Sequence, residues 1–352
     1  NPLLATKEAE LANLTVVHGK WVNLDKPGGQ VFFVSGGTPA YEGKGGSDGN
    51  SGLAPGQALS TIQAGLNKCV SGRGDTVAIL PGSITVTAAL TMTNDDVTLT
   101  GAAVVGRRER SPVIIVNATD VNTVAINANN CEVSGIQFDD NVATATADTA
   151  VIAVNTSNAG ADYVGTKIKN CFLDMLGSDS DRDGIALGLA GDATDGAIGS
   201  LIEGCTILDC DQDAIAIAAG SEYSTVRDCA IIEVANGTRF GVDVAAVSCA
   251  IEDCDILVNG TACIQNGVAA ARLTVTGCNL HAWGANTIGI VAIATATQRT
   301  SGNNVTATAA GNLVDYTTDN TTPSADAFLS NIFAADAGAT ALGESTVGGS
   351  DA

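Results

Sequence analysis

Aliphatic residues alternate with polar ones in short runs along this chain, and the runs themselves recur. The stretches "IEGCTILDC" (202–210), "VRDCAIIEV" (226–234), "IEDCDILV" (251–258) and "VTGCNLHAW" (275–283) share one shape. Their cysteines, Cys205, Cys229, Cys254 and Cys278, are 24, 25 and 24 residues apart. A period of that length predicts a solenoid, because one such unit cannot bury its own apolar face and must stack on the next. The same slot is met upstream at Cys171, Cys131 and Val97, and downstream at Asn303. Two places after each slot stands an aliphatic residue: Leu99, Val133, Leu173, Ile207, Ile231, Ile256, Leu280 or Val305. That is strand alternation, with both residues on one face. The residue just before each slot is Asp96, Asn130, Asn170, Gly204, Asp228, Asp253, Gly277 or Gly302. Only Asn, Asp and Gly occur there, the types that adopt a left-handed backbone at least cost, so a tight bend is expected before every strand.

A second family of strands precedes the cysteine runs: "TAVIAV" (149–154), "DGIALGL" (183–189), "DAIAIAA" (213–219), "FGVDVAA" (240–246), "ACIQNGV" (262–268) and "IGIVAIA" (288–294). Each unit of about two dozen residues therefore holds at least two short strands with bends between them. Parallel stacking of such units makes a β-helix, in which each coil touches only its neighbours and equivalent residues lie about 4.8 Å apart. The recurring I/V-x-N/D/G-C-x-I/L shape resembles that of the right-handed parallel β-helix proteins of the pectate-lyase-like superfamily. The resemblance covers residues 30–310 and implies an all-β, right-handed parallel β-helix solenoid with an N-terminal capping helix.

Within that fold the recurring residues Cys131, Cys171, Cys205, Cys229, Cys254 and Cys278, continued by Asn303, are expected to form one internal ladder of small polarizable fillers. A row of stacked thiols offers no tetrahedral C-x-x-C pair for zinc. Free thiols also suit folding in a reducing cytoplasm.

The ends depart from the repeat. Residues 1–30 read as an N-terminal arm, and 31–101 as the cap and first coils of a β-helix spanning 31–310. In the cap, Ser60 and Gln63 have capping-box spacing. Leu59, Ile62, Leu66, Cys69 and Val70 lie on one face, so this helix is expected to plug the open end of the solenoid. Residues 311–352 read as a closing segment and tail, with a short helix anchored by Leu329 and Phe333. Longer coils carry acidic insertions at 139–149, 177–183 and 190–200; insertions of this kind protrude from one side of a solenoid.

Composition narrows the functional classes. Of the 352 residues 45% are apolar, enough for a long core, while only 4% are aromatic, which suits narrow repeated strands. The net charge of −22 repels nucleic acid and anionic membrane surfaces, so neither is an expected partner. No run approaches the 18 consecutive apolar residues of a membrane span.

Two clusters could carry chemistry. "DSDRDG" sets Asp179, Asp181 and Asp183 at alternate positions, the opening of a calcium-loop pattern whose glutamate at position twelve is replaced by Ala190. Calcium is the one cofactor this suggests; the alternative is a solvated acidic turn. Aligning Gly184–Ile185 with Ala214–Ile215 stacks Asp183 on Asp213 and Asp181 on Asp211. Carboxylates about 5 Å apart repel unless a proton, solvent or a cation intervenes, and about 5–5.5 Å is also the retaining-glycosidase separation. "DRDGIAL" and "DQDAIAI" resemble the catalytic coils of polygalacturonases, which implies Asp183 and Asp213 as two catalytic acids. Gln212 replaces the third acid, the G-H-G and R-I-K motifs are absent, and His18 and His281 lie in other settings. Arg182, Arg227, Arg239 and Arg272 occur in scattered contexts and read as surface charges. Trp283, Tyr163, Tyr223 and Phe240 are the aromatic residues of the coils that could stack on a sugar, with packing as the plainer role.

Three functions are consistent with these features. The leading expectation is a non-enzymatic structural or adhesive virion protein, a phage capsid decoration or tail appendage. It would assemble in the host cytoplasm, as a homotrimer held to other virion proteins by the N-terminal arm, with a host surface glycan as a further partner. It rests on the abundant thiols, the acidic surface, the missing catalytic motifs and the use of this fold in phage particles, the last an analogy of fold. The alternatives are a polysaccharide-cleaving hydrolase or lyase using Asp183 and Asp213, and an extracellular, calcium-stabilised adhesin of a cell surface.

Overall fold

The computed structural model describes residues 14–17, 20–23, 28–36, 45–102, 112–117, 120–140, 149–155, 160–175, 182–188, 196–234, 239–267, 272–282, 288–293, 297–307, 314–317, 328–329 and 332–335. Among these residues the chain winds through three long sheets in turn. The first has eleven strands, running from Val31–Val34 to Phe328–Leu329. The second has ten, from Ser83–Val86 to Ile332–Ala335, and the third nine, from Leu90–Met92 to Val314–Thr317. Strands within each of the three sheets pair in parallel and in register with the equivalent strand one coil away.

The apolar alternation of the sequence becomes continuous interior columns. Leu99, Val133, Ile168, Ile202, Val226 and Ile251 lie in register in the first sheet. Ile114, Phe138, Leu173, Ile207, Ile231 and Ile256 do so in the second. Ile152, Ile185, Ile215, Val242, Ile264 and Ile290 do so in the third. None of these side chains is more than 2% exposed. A one-residue slip would turn a whole column outward, so burial of these side chains holds the register.

The bends are made by single left-handed residues, and all eight residues preceding the cysteine slot have positive φ, from 51° at Asn170 to 68° at Gly277. They serve two different corners. At the corner before the second sheet, backbone N–H groups of successive coils donate to the carbonyls of Ile136, Cys171, Cys205, Cys229, Cys254 and Cys278. At the corner before the first sheet, the corresponding acceptors are Val97, Cys131, Thr166, Ser200 and Ser224. Cys131 therefore stands above Val97 and below Thr166, one corner away from the other cysteines of the expected ladder. Both corners need the same local conformation, so their sequence signatures coincide.

The remaining five cysteines stack directly. Each is at most 2% exposed, and the ten cysteines are all buried and unbridged. Each thiol lies near main-chain oxygens, as Cys205 does near those of Ile168 and Glu203, both at 3.6 Å. Cys205 is also hydrogen-bonded to the thiols of Cys171 and Cys229, and Cys254 to those of Cys229 and Cys278. Asn303 ends the row: its carboxamide oxygen accepts the Cys278 N–H at 2.9 Å and its nitrogen donates to Val275 O at 2.9 Å. Two further thiols, Cys249 and Cys263, fill other interior positions.

A helix at the first end, α1 (Ile62–Leu66), has Thr61 rather than Ser60 as its N-cap, the hydroxyl accepting from Ala64 N–H. Ile62 and Leu66 join the interior cluster, whereas Val70 is exposed. Gln63 has a different task from the expected capping box. Its carboxamide accepts from Thr91 N–H at 2.8 Å and donates to Thr91 O at 3.3 Å, satisfying the otherwise open edge of the third sheet. The expected closing helix is replaced by strands, Phe328–Leu329 and Ile332–Ala335, which extend the first and second sheets. Its apolar residues follow the alternation of the coil strands, and pairing with a preformed edge overrides weak helical preference.

On the outer face of the first sheet Lys169, Glu203 and Arg227 occupy successive coils. Glu203 meets Arg227 at 2.5 Å and Lys169 at 3.9 Å. All three side chains are partly solvated, so Glu203→Gln is expected to cost only about 0.2–1 kcal/mol. Urea unfolding at low and high salt checks this, and the difference from the parent should shrink in high salt.

Candidate functional site

The two acids singled out by the sequence sit where the chain turns into the third sheet. Pairing of Ile185 with Ile215 and of Ile215 with Val242 brings Asp183, Asp213 and Phe240 into one column. Asp183 Oδ1 accepts the Asp213 N–H at 3.1 Å, and Asp213 Oδ1 accepts the Phe240 N–H at 2.8 Å. Each carboxylate thus supplies an acceptor to the main chain one coil further on. Asp213 is 7% exposed and Asp183 is half-buried. Cys210 lies behind them, its sulfur 3.4 Å from Asp213 O and 3.5 Å from Arg182 O. Burial, with the Asp183 charge added, pushes that thiol well above its ordinary pKa.

A third acid completes the group, and sequence reasoning passed over it. Asp243 occupies the outward position of its strand, in register with Ala216 on one side and Gln265 on the other. The preceding coils carry Ala153, Ala186 and Ala216 there. The only sequence signal was an acid in "FGVDVAA" where its counterparts have alanine. Burial first, and the Asp213 charge second, raise the Asp243 pKa from 3.8 to about 7, with Arg239 opposing. Arg239 Nε and Gln265 Oε1 nearby are buried without hydrogen-bond partners. A carboxylic acid with a pKa near 7 is a group that can donate a proton near neutral pH.

The raised pKa has a thermodynamic consequence. Between 3.8 and about 7 the folded chain binds a proton at Asp243 that the unfolded chain releases. Its contribution to stability is therefore full below the unfolded value and is lost as pH rises toward 7. The melting temperature should fall across that window through this group, and Asp243→Asn should remove that component. Equal pH slopes for the two proteins would contradict it.

Arg182 overturns its reading as a surface charge, being fully buried. Its guanidinium donates to Thr123 Oγ1 at 2.9 Å, Val121 O at 3.1 Å and Ala150 O at 3.2 Å, and lies 3.6 Å from the buried Asp140 carboxylate. Burial lowers its pKa, with Asp140 and then Asp120 opposing. Arg227 is partly exposed and paired with Glu203, in keeping with a surface role.

For calcium, Asp179 and Asp181 lie outside the described residues, as does the aromatic Trp283. Among the described residues no group of three or more His, Cys, Asp or Glu side chains is arranged to hold a metal. Asp183 instead faces the Asp213 N–H. Of the aromatic candidates, Tyr163 and Phe240 are half-buried, while Tyr223 is 68% exposed. The site thus places Asp183, Asp213 and Asp243 on three successive coils at the third sheet and leaves Tyr223 at another corner.

No protein-family model matches the chain, and no curated protein matches it in sequence. Solved structures do. The pectate lyase Pel9A superposes with a TM-score of 0.53 at 11% identity, over 87% of this chain and 78% of its own. The tailspike protein of the Acinetobacter phage vB_ApiP_P1 superposes with a TM-score of 0.52 at 14% identity, over 96% of this chain and 64% of its own. At such identities the likeness is one of fold. With three long sheets of parallel stacked strands and these neighbours, the chain has the fold of a right-handed parallel β-helix.

Proposed function

We propose that this chain is a structural, adhesive rod of a virus particle, a capsid decoration or tail appendage, and that it does not turn over a substrate. The observation that carries this reading is the use made of the acids. Asp183 and Asp213 each give a carboxylate oxygen to a main-chain N–H group of the next coil, a use that ties the coils together. The fold is compatible with the role, since a phage tailspike shares it across 96% of this chain. It is equally compatible with a lyase, so the weight rests on the site. In this reading residues 1–30 attach the rod to other virion proteins, and the rod works as a homotrimer. Within that segment, Leu14–Val17 and Lys20–Asn23 pair as an antiparallel hairpin, and Asn23 donates to Thr76 Oγ1 at 3.1 Å.

Antibodies raised against the purified protein test the proposal by immunogold labelling of particles from the source material. Regular labelling of particles, with a trimer mass in sedimentation, supports it. Unlabelled particles and a soluble monomer overturn it.

A second reading, cleavage of a polysaccharide, is favoured by one feature: Asp243, its pKa near 7, beside Asp213. It predicts release of reducing ends or unsaturated products from acidic polysaccharides, abolished by Asp243→Asn and by Asp213→Asn. Asparagine at 213 can still accept the Phe240 N–H, so loss of activity there would not reflect unfolding. Absence of any product across such substrates removes this reading.

A further inference from the structure

Five sulfurs stand in one file inside the rod, at the corner before the second sheet: Cys171, Cys205, Cys229, Cys254 and Cys278. Main-chain hydrogen bonds set their spacing. The residue after each cysteine donates its N–H to the carbonyl of the cysteine one coil earlier, at 2.8 or 2.9 Å. The side chains meet as well, each thiol being hydrogen-bonded to the next. The file ends at Ile136 on one side and at Asn303 on the other.

The bend itself does not require sulfur. The corner before the first sheet makes the same bend, and its slots hold Val97, Cys131, Thr166, Ser200 and Ser224, all buried. A filler in this conformation is therefore interchangeable among small side chains, and five cysteines in succession ask for a reason beyond packing. The surroundings of the file supply one. Each sulfur has two main-chain carbonyl oxygens beside it, at 3.2–3.8 Å. Their negative ends are fixed partial charges that favour a cation among the sulfurs and disfavour a bare thiolate.

We propose that this file binds soft monovalent cations with a filled d shell, Cu(I) foremost, one between each successive pair of sulfurs. A thiolate bond to a filled-shell ion is about 2.3 Å long, so an ion in line between two sulfurs spans about 4.6 Å, close to the roughly 4.8 Å between equivalent residues of stacked coils. Two sulfurs suffice for each ion, so the lack of three-ligand groups among the described residues leaves the site intact. Tetrahedral zinc finds no place in a row, whereas linear coordination follows it. Each ion displaces one thiol proton to solvent, binds the resulting thiolate and shares the neighbouring sulfur; no electron is transferred. Five sulfurs leave four gaps, so four ions release four protons, the fifth thiol keeps its own, and the apolar interior gains no net charge. The site uses none of the acids and does not depend on the virion reading.

The test loads the full chain, reduced and free of oxygen, with Cu(I) supplied as its acetonitrile complex. Loading is done on the folded chain and also during refolding from guanidinium, so that access to the interior does not limit uptake, and loose ions are then removed with a Cu(I) chelator. The parent should retain about four ions, with about one proton released per ion and two sulfur neighbours per copper in X-ray absorption. Cys229→Ser breaks the file in the middle and should retain about two ions, and Cys171→Ser shortens it at one end and should retain about three. Cys249→Ser, outside the file, should match the parent. Serine already fills the equivalent slot of the other corner as Ser200 and Ser224, so these variants should keep the fold. Less than one ion retained by either route, equal retention by the parent and Cys229→Ser, or three or more sulfur neighbours per copper would each overturn the proposal.

Discussion

Arg182→Met is expected to destabilise the chain by about 3–5 kcal/mol, measured by guanidinium unfolding, the largest effect of any single substitution considered. The guanidinium is fully buried, donates to three oxygens and faces Asp140, itself 1% exposed. Methionine has the length of the arginine stem and avoids a large cavity, so the loss reports the electrostatics. It leaves the Asp140 carboxylate in the interior with its principal counter-charge removed, and deprives Val121 O and Thr123 Oγ1 of their donor. The double variant Arg182→Met/Asp140→Leu should recover most of the loss, because replacing both buried charges with apolar groups is often neutral. A cost below about 1 kcal/mol for Arg182→Met would mean that the pair is hydrated, and the buried assignment would be wrong.

The second large effect concerns the thiols. In the native protein at pH 8, a thiol-specific reagent should modify the cysteines at least about 10³-fold more slowly than in denaturant. Two independent causes act together. All ten are buried, so the reagent reaches them only through opening of the coils. The acidity of several is also suppressed. Hydrogen bonding to the thiol of the preceding coil, with burial added, raises Cys229 and Cys254 to about 12; burial raises Cys69 and Cys263 to about 12 and Cys249 to about 11. At pH 8 a thiol with pKa near 12 is ionised to roughly one part in 10⁴, against about a quarter for an ordinary cysteine. In denaturant all ten should react. Rapid native labelling of several thiols, or fewer than ten reactive groups after unfolding without reductant, would show that the sulfurs are exposed or bridged.

Much of the fold was legible because its determinants are local. A left-handed residue before each inward slot, an aliphatic residue two places on, and alternation between them are properties of three or four consecutive positions. The eight Asn, Asp and Gly residues at the bends illustrate this, since every one has positive φ. The stacking of Asp183 beneath Asp213 was also readable, because "DGIA" and "DAIA" leave one sensible alignment. What escaped was anything set by two segments of different corners. Cys131 was placed in the ladder because "NNC" and "KNC" encode the same bend, although only the hydrogen bonds of the next coil say which corner it is. Arg182 passed for a surface charge because Asp140 and Thr123, its partners, are 42 and 59 residues away.

By itself, then, the sequence determined the kind of architecture: coils of short parallel strands, their inward faces and their bends, all through the conformational preferences of neighbouring residues. Tertiary structure alone decided which residues share a column, which charges enter the interior and which acid holds its proton. Those outcomes depend on distances of a few ångströms between coils two dozen or more residues apart. Burial and the field of a neighbouring coil, as at Asp243 beside Asp213, exist only once the rod has closed around them.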